Sequence, residues 1–254
     1  MIVTPPSDLR RTSTYYDRIA REYDEQVDGL AINRALRGAF RARVSEIAGP
    51  GGRILDFGCG TGTDAEWYAR QGQQVFAYDI STGMMDVLRA RCADAIAGGR
   101  ITPLVGSLHD LERALHDLEG ALHDRPPLDA VAANFAALNH VDDLQDVLAR
   151  LASYLTPGGA LVASLLNPLY RGEMRWRSWC RTQATSWWRG GVTLRGEVTT
   201  HRPYLRALRR MAKPALALAE VGHVDERGHW SSSPLAWRAL LRQQFHFVVL
   251  KRAE

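Results

Sequence analysis

Asp56-Phe57-Gly58-Cys59-Gly60-Thr61-Gly62 sets a carboxylate two residues ahead of three alternating glycines, directly after the apolar pair Ile54-Leu55. This pattern predicts a buried strand ending at Asp56, a tight turn, and a helix opening near Thr63-Asp64. Glycines admit positive φ and let a ligand approach bare backbone, and the first amides of the following helix lack internal partners. The spacing is G-x-G-x-G, not the dinucleotide G-x-G-x-x-G, and no Gly-Lys-Ser/Thr follows to make a phosphate loop. A carboxylate at the strand tip repels a pyrophosphate and suits a ligand with a cationic amino-acid head. The competing reading is an ordinary strand–turn–helix corner without a ligand.

A second acid stands where a ribose needs one. Gln74–Asp79 reads as the next parallel strand, with Asp79 at its tip, placed to accept hydrogen bonds from both ribose hydroxyls. Asp79 could instead cap the next helix, although Ser81 or Thr82 can do that. Ile80 and Met84 are spaced to flank a ring, while Met84 also suits a core. Ligands of open α/β sheets bind beyond the carboxyl ends of the strands. That places Ser107 and Leu108, after strand 101–105, and Asn134, Phe135 and Leu138, after strand 128–133, near the same ligand. His140 closes that second loop and is the first candidate general base, with His201, His223 and His229 behind it. A satisfied structural role competes for each of these histidines.

The stretch Asp56–Gly62 resembles the first motif of class I S-adenosylmethionine (SAM) methyltransferases of the small-molecule type, whose loop closes round the methionine part of SAM. The segment Tyr16-Asp17-Arg18-Ile19-Ala20-Arg21-Glu22-Tyr23-Asp24 is similar to their lid. The resemblance implies that Tyr15, Tyr16 and Tyr23 cover SAM or meet substrate, against the alternative that they only pack the helix down. Asn134-Phe135 through Leu138 and His140 resembles their substrate-facing loop, and Thr156-Pro157-Gly158-Gly159 the turn before their fifth strand. An acid that contacts adenine in related enzymes is displaced here to Asp110, which leaves that contact to Ser107 or backbone. No Asn/Asp-Pro-Pro-Tyr motif, typical of enzymes that methylate base amino groups, follows the fourth strand. The resemblance runs over residues 14–168.

The implied fold is an α/β seven-stranded, mostly parallel sheet of order 3-2-1-4-5-7-6, its last strand antiparallel, with helices on both faces. Residues 1–48 would form a tail and helical lid, with a loose stretch 1–13, a helix 14–28 and a helix 32–48 stopped at Gly49-Pro50-Gly51-Gly52. Residues 49–168 would be the SAM-binding core, 169–213 a cap inserted after strand five, and 214–254 the strands that complete the sheet. Pro103 marks the third strand as an edge. A helix is expected over 141–155 and a fifth strand over 160–166, followed by a strand or helix at 215–221, a loop from 222 to 233, a helix at 234–243 and a last strand at 245–250. Between strands three and four, Leu-His-Asp-Leu recurs every seven residues from Leu108. Histidines seven apart on a helix lie about 10.5 Å apart along its axis, so His109, His116 and His123 cannot share one ion, and a surface helix with inward leucines is expected.

The chain has 254 residues, 46% of them hydrophobic, enough for one large α/β core. No apolar run approaches the ~20 residues of a membrane span, and Met1–Pro6 lacks a signal-peptide pattern. Cys59, Cys92 and Cys180 form no C-x-x-C pair and read as free thiols of a cytoplasmic protein. Net charge is only +4, but residues 169–213 hold ten Arg and one Lys against Glu173 and Glu197, which makes this stretch +9 and the remainder −5. It also holds Trp176, Trp179, Trp187 and Trp188. Three readings stand for it: a site for an anionic or aromatic substrate, a nucleic-acid or anionic-membrane surface, or amphipathic helices that bury Trp and solvate Arg.

The expected function is SAM-dependent transfer of a methyl group to O, N or C of a small molecule, anionic or aromatic, of specialised metabolism. His140, with His201 and Tyr16, is the candidate catalytic set. No metal is required, nucleic acid is not the favoured partner, and the protein would be a monomer or homodimer. The alternatives are a tRNA or rRNA methyltransferase, and a SAM-binding protein without transfer activity.

Overall fold

The side chains of the first strand are buried on both faces of the sheet and so divide the molecule into two cores. The computed structural model describes residues 7–121, 128–170, 172, 175–224, 228–232 and 243–253. β1 (Arg53–Phe57) sends Ile54 and Asp56 to one side and Leu55 and Phe57 to the other. It pairs in parallel with β2 (Gln74–Asp79) and β4 (Leu128–Ala133). β3 (Ile101–Val105) pairs only with β2, an edge position that tolerates Pro103. β5 (Leu155–Leu166) follows β4, and β10 (Phe245–Arg252) runs antiparallel between β5 and β8 (Leu216–Val224). The run Phe247–Leu250 is apolar at every position because β10 is covered on both faces.

The order is therefore 3-2-1-4-5-7-6 for the seven expected strands, but the sheet has an eighth. A two-residue strand, Trp230–Ser231, pairs antiparallel with β8 in a stretch read as loop from its polarity. We number it β9.

One core lies under α3 (Ala31–Ala48), α4 (Thr63–Arg70) and α5 (Thr82–Arg91) with its short continuation α6 (Ala93–Ala97). Phe40, Val44, Tyr68, Met85 and Leu88 fill it. The other lies under α7 (Leu108–Ala121), α8 (Leu144–Ser153) and α10 (Leu205–Ala212), filled by Leu111, Leu115, Leu148, Leu151 and Leu208. Each such buried side chain contributes about 1.5–3 kcal/mol. The heptad leucines Leu111 and Leu115 thus face inward while His109 and His116 are exposed. His123 lies outside the described residues, as does most of the expected helix at 234–243.

Four further expectations are corrected. The lid helix starts earlier and is broken: α1 spans Ser7–Ile19, a turn closes with the Glu22 amide donating to the Ile19 carbonyl (3.0 Å), and α2 spans Tyr23–Asp28. The break lets Asp17 reach the start of α5 and Asp24 the glycine loop, as described below. The expected helix 141–155 is present but shorter, as α8, whose cap Asp143 accepts the Asp146 amide at 3.0 Å, and a 3-10 turn, Ala137–His140, precedes it. β5 begins at Leu155, five residues early, with its pairing to β4 resuming at Ala160 after an irregularity. The insert is not helical throughout. α9 (Trp176–Ser186) and α10 flank a hairpin of β6 (Gly191–Arg195) and β7 (Thr199–Pro203), where β-branched Val192, Thr193, Thr199 and Thr200 favour strand. At the junction after the insert, the strand reading of 215–221 holds, as β8.

Candidate active site

The glycine loop turns directly over the end of β1. Gly58 and Cys59 amides both donate to the Tyr78 carbonyl, at 2.8 and 2.9 Å, which folds the loop back onto β2. Gly58 has φ of 74°, and a Cβ there would lie 2.5 Å from Ala137 Cβ, so glycine is required twice over. Above the loop is a cavity of about 350 Å³, at the lower end of the roughly 300–1,000 Å³ of ligand pockets. Gly58, Cys59, Gly60 and Thr61 line it, with Asp79, Ile80, Met84 and Leu108 along one wall. Asn134, Phe135 and His140 form the floor, and Tyr16 and Tyr23 the roof.

Asp79 is held from below: one carboxylate oxygen accepts the Gly60 amide and the other the Ser81 amide, each at 2.9 Å. Burial pushes its pKa up, against the opposing pull of these amides. Ser81 itself caps α5, accepting the Met84 amide at 3.1 Å, so Asp79 is not needed as the cap. Its remaining lone pairs can receive ribose hydroxyls, and Ile80, Met84 and Leu108 give a flat ring an apolar slot.

Asp56, Gly62, Ser107 and Leu138 do not line the cavity. Asp56 lies beneath the loop, 1% exposed, with one carboxylate oxygen unpartnered among the described residues; burial, then Asp64, raises its pKa. Gly62 opens α4, where a Cβ would meet Leu88 at 2.7 Å. Ser107 is engaged by Asp110, which accepts its amide and hydroxyl at 2.9 and 2.7 Å. Leu138 belongs to the α8-side core.

In place of Asp56, the charged groups on the wall are Arg37 and Asp64, neither singled out by sequence. Arg37 is 7% exposed, pairs with Asp64 and Asp28 at 3.0 Å each, and lies 4.6 Å from the Phe135 ring centroid. Asp64 also meets Arg41 at 2.5 Å and accepts from the Asn134 amide at 2.9 Å. Burial works against the Asp64 carboxylate, but Arg37 and Arg41 outweigh it and lower its pKa. A buried cation and anion side by side match the zwitterionic head of an amino-acid ligand. The signal for Asp64 was its place in the first turn of the helix after the glycines; Arg37 had none.

The lid is pinned by two acids whose Tyr-Asp context was visible in the sequence. Asp17 accepts the Gly83 amide (2.8 Å) and the Ser81 hydroxyl (2.6 Å) at the start of α5. Asp24 accepts the Thr61 hydroxyl at 2.5 Å and pairs with Arg91. Tyr23 thereby lies over Gly60, and Tyr16 over the floor. Tyr15 stays outside the cavity, packed edge-on against Tyr16.

His140 Nδ1 is 3.1 Å from the Thr199 carbonyl, and because a carbonyl only accepts, Nδ1 carries the proton. Nε2 is left as an acceptor and receives the Tyr16 hydroxyl at 3.0 Å. Burial lowers the His140 pKa and raises that of Tyr16, so the pair sits as neutral imidazole and intact phenol. His201 is on β7, outside the cavity, with Nδ1 3.1 Å from the Thr193 hydroxyl and Nε2 3.4 Å from Asp142. His223 and His229 are also outside it. No described arginine of the insert lines the cavity, whereas Asp142, Asp143 and Asp146 do.

A parallel sheet whose glycine loop and strand-tip acid share one cavity under a helical lid defines a Rossmann-like cofactor enzyme, and the donor set fits SAM from ribose to amino-acid head. A family model described as a methyltransferase domain matches residues 23–215, and the chain belongs to that family. It is similar to a demethylmenaquinone methyltransferase of Renibacterium salmoninarum, 32% identical over 152 residues, 59% of this chain and 56% of the relative. It is also similar to a ubiquinone biosynthesis O-methyltransferase of Xylella fastidiosa, 33% identical over 171 residues, 61% of this chain and 65% of the relative. The chain thus spans less than two thirds of each. Among solved structures, a Burkholderia thailandensis 1,6-didemethyltoxoflavin-N1-methyltransferase with bound S-adenosylhomocysteine shares the fold, with a TM-score of 0.61 and 15% identity over 100% of this chain and 94% of that one. A Mesorhizobium loti SAM-dependent methyltransferase does so with a TM-score of 0.58 and 23% identity over 89% and 100%. Among the described residues, no helix is long and apolar enough to cross a membrane.

Proposed function

We propose that this methyltransferase acts on a hydroxyl of an uncharged aromatic small molecule, with His140 as general base. The observation that carries the proposal is the neutral His140 imidazole, its Nδ1 proton fixed on Thr199 and its Nε2 turned to the Tyr16 hydroxyl at the cavity floor. A phenol needs its proton removed near neutral pH, and a positioned imidazole contributes about 10²–10⁴-fold. The relatives named for quinone biosynthesis support an aromatic acceptor. The acids Asp142, Asp143 and Asp146 on the lining, with no described insert arginine beside them, oppose an anionic acceptor and a phosphate backbone alike.

In this reading Asp79 holds the ribose, Ile80, Met84 and Leu108 the adenine, and Arg37 and Asp64 the carboxylate and ammonium of the amino-acid head. SAM, when bound, supplies an electrophilic methyl on a sulfonium. The acceptor hydroxyl takes the place of the Tyr16 hydroxyl on His140 Nε2 and gives up its proton there as its oxygen takes the methyl. Tyr16 and Tyr23 exclude water from above, and the glycine loop fixes the line of approach. We place the protein in the cytoplasm, where Cys59, Cys92 and Cys180, all free thiols here, remain reduced.

The test is transfer of a labelled methyl group from SAM to a panel of phenols, each with its carboxylated counterpart. Label in the neutral phenols that is lost in His140→Ala supports the proposal. Preference for the carboxylated set would overturn the acceptor class. Binding of S-adenosylhomocysteine without transfer to any acceptor would favour a SAM-binding protein that does not methylate.

A further inference from the structure

The insert has a face that the cavity does not use. α9 exposes a stripe of Arg177 and Arg181, four residues apart on one face, and the turn after it exposes Trp188. Trp188 is 88% exposed and its neighbour Trp187 45%, two of four large apolar side chains so exposed among the described residues. Arg206, from α10, joins the second helix to this stripe: its guanidinium lies 3.7 Å from the Trp187 ring centroid and donates to the Trp187 carbonyl. Arg189 stands exposed beside Trp188. Among the described residues, none of Arg177, Arg181, Arg189 and Arg206 has a carboxylate partner.

Solvated helices alone do not explain that combination. An isolated surface arginine is ordinary, but an indole left almost wholly in water beside four unneutralised cations forgoes both packing and charge compensation. An indole prefers the boundary between water and hydrocarbon, and unpaired arginines are attracted to anionic headgroups. We infer that the α9–α10 face docks on an anionic lipid membrane surface, with Trp188 entering the headgroup layer and the arginines lying on lipid phosphates. Two observations favour a bilayer over nucleic acid. The Trp187 face that could stack on a base is covered by Arg206. Asp142, Asp143 and Asp146 on the cavity wall would repel a phosphate backbone led from this face into the site.

The experiment is co-sedimentation of the full chain with vesicles of phosphatidylcholine alone or mixed with phosphatidylglycerol, together with tryptophan emission. Binding to the mixed vesicles only, weakened by salt and accompanied by a blue shift, is expected. Trp188→Ala should remove most of the blue shift. Each arginine near a charged surface is worth about fivefold in affinity, so the Arg177→Ala/Arg181→Ala/Arg189→Ala triple variant should bind about a hundredfold more weakly. Unchanged unfolding midpoints and unchanged S-adenosylhomocysteine shifts would show that these surface variants remain folded. Equal binding to both vesicle types, or to neither at low salt, overturns the inference. So does binding to an RNA oligonucleotide with a steep salt slope and none to vesicles, which would assign the face to nucleic acid.

Discussion

The Tyr16 hydroxyl and Nε2 of His140 lie 3.0 Å apart, joining the lid to the floor of the cavity across 124 positions of sequence. The contact ties closure to the state of the base. His140→Ala should lower kcat by about 10²–10⁴-fold while leaving the Kd for S-adenosylhomocysteine near the wild-type value. Tyr16→Phe keeps the base and loosens the roof, so it should raise KM for SAM more than it lowers kcat. Steady-state kinetics and calorimetric titration separate the two, and a Tyr16→Phe enzyme as inactive as His140→Ala would transfer the proton-accepting role to the phenol.

The pH profile follows from burial. In the proposed mechanism neutral imidazole is the active form, and burial holds the His140 pKa below its ordinary value of 6.5. Activity should be flat from pH 7 upward to the next titration and fall only as pH drops through that depressed pKa, below about 6.5. An acid limb centred above 6.5 in kcat against pH would contradict the assignment of His140.

Gly58→Ala should abolish most cofactor binding. The new Cβ would lie 2.5 Å from Ala137 Cβ, at φ of 74° where a side chain costs about 1–2 kcal/mol. A loss of at least tenfold in S-adenosylhomocysteine affinity is expected, partly restored by adding Ala137→Gly, which removes the clash but not the strain. Calorimetry on both variants measures this directly.

Arg37→Leu should be costly in two readouts. It strips Asp28 of its buried partner and leaves Asp64 with Arg41 and the Asn134 amide, so a loss of about 3–5 kcal/mol in denaturant stability is expected. The thermal shift given by S-adenosylhomocysteine should disappear as well. Arg37→Lys restores charge without the two-way fork and should recover stability more than binding. Full ligand shift in a folded Arg37→Leu protein would remove the residue from the cofactor site.

A different histidine should set the acid stability. His246 on β10 is 2% exposed, neither ring nitrogen has a hydrogen-bond partner among the described residues, and burial pushes its pKa down to about 4. Below pH 6.5 the unfolded chain binds a proton that the folded chain refuses. Its contribution is therefore fully present above 6.5 and is lost as pH falls through about 4, by about 3 kcal/mol at most. His246→Phe should flatten urea-derived stability over that window, and an unchanged slope would exclude His246 as its source.

The sheet was legible because its strands are short apolar runs set between glycines and ending in acids, and the same local grammar exposed Asp79, Gly58, Tyr16 and His140. What stayed hidden depended on distance in sequence. Arg37 is one arginine among several on α3, and only the fold sets it between Asp28 and Asp64. Asp56, the most visible acid of the motif, turns under the loop because strand alternation points it into the α3-side core. The hairpin β6–β7 was masked by the charge of its surroundings, although its β-branched residues carried the strand signal. The described arginines of the insert, whose charge suggested an anionic substrate, lie outside the cavity lining for the same reason: composition reports the charge of a segment, not the direction its side chains face.

The roof has a consequence for how the chain matures. α1 is synthesised before every group that holds it down: Ser81 and Gly83 for Asp17, His140 for Tyr16, and Glu197 for Arg18. Contacts of such sequence separation form late, because a long loop must close before they return any energy. The glycine loop can thus take shape from β1, β2 and α4 while the segment above it is still unanchored. A newly made molecule acquires its cofactor cradle first and its roof last, when the hairpin carrying Thr199 has been added. Any lesion that delays the insert should then produce protein whose core is folded and whose site stands open to water.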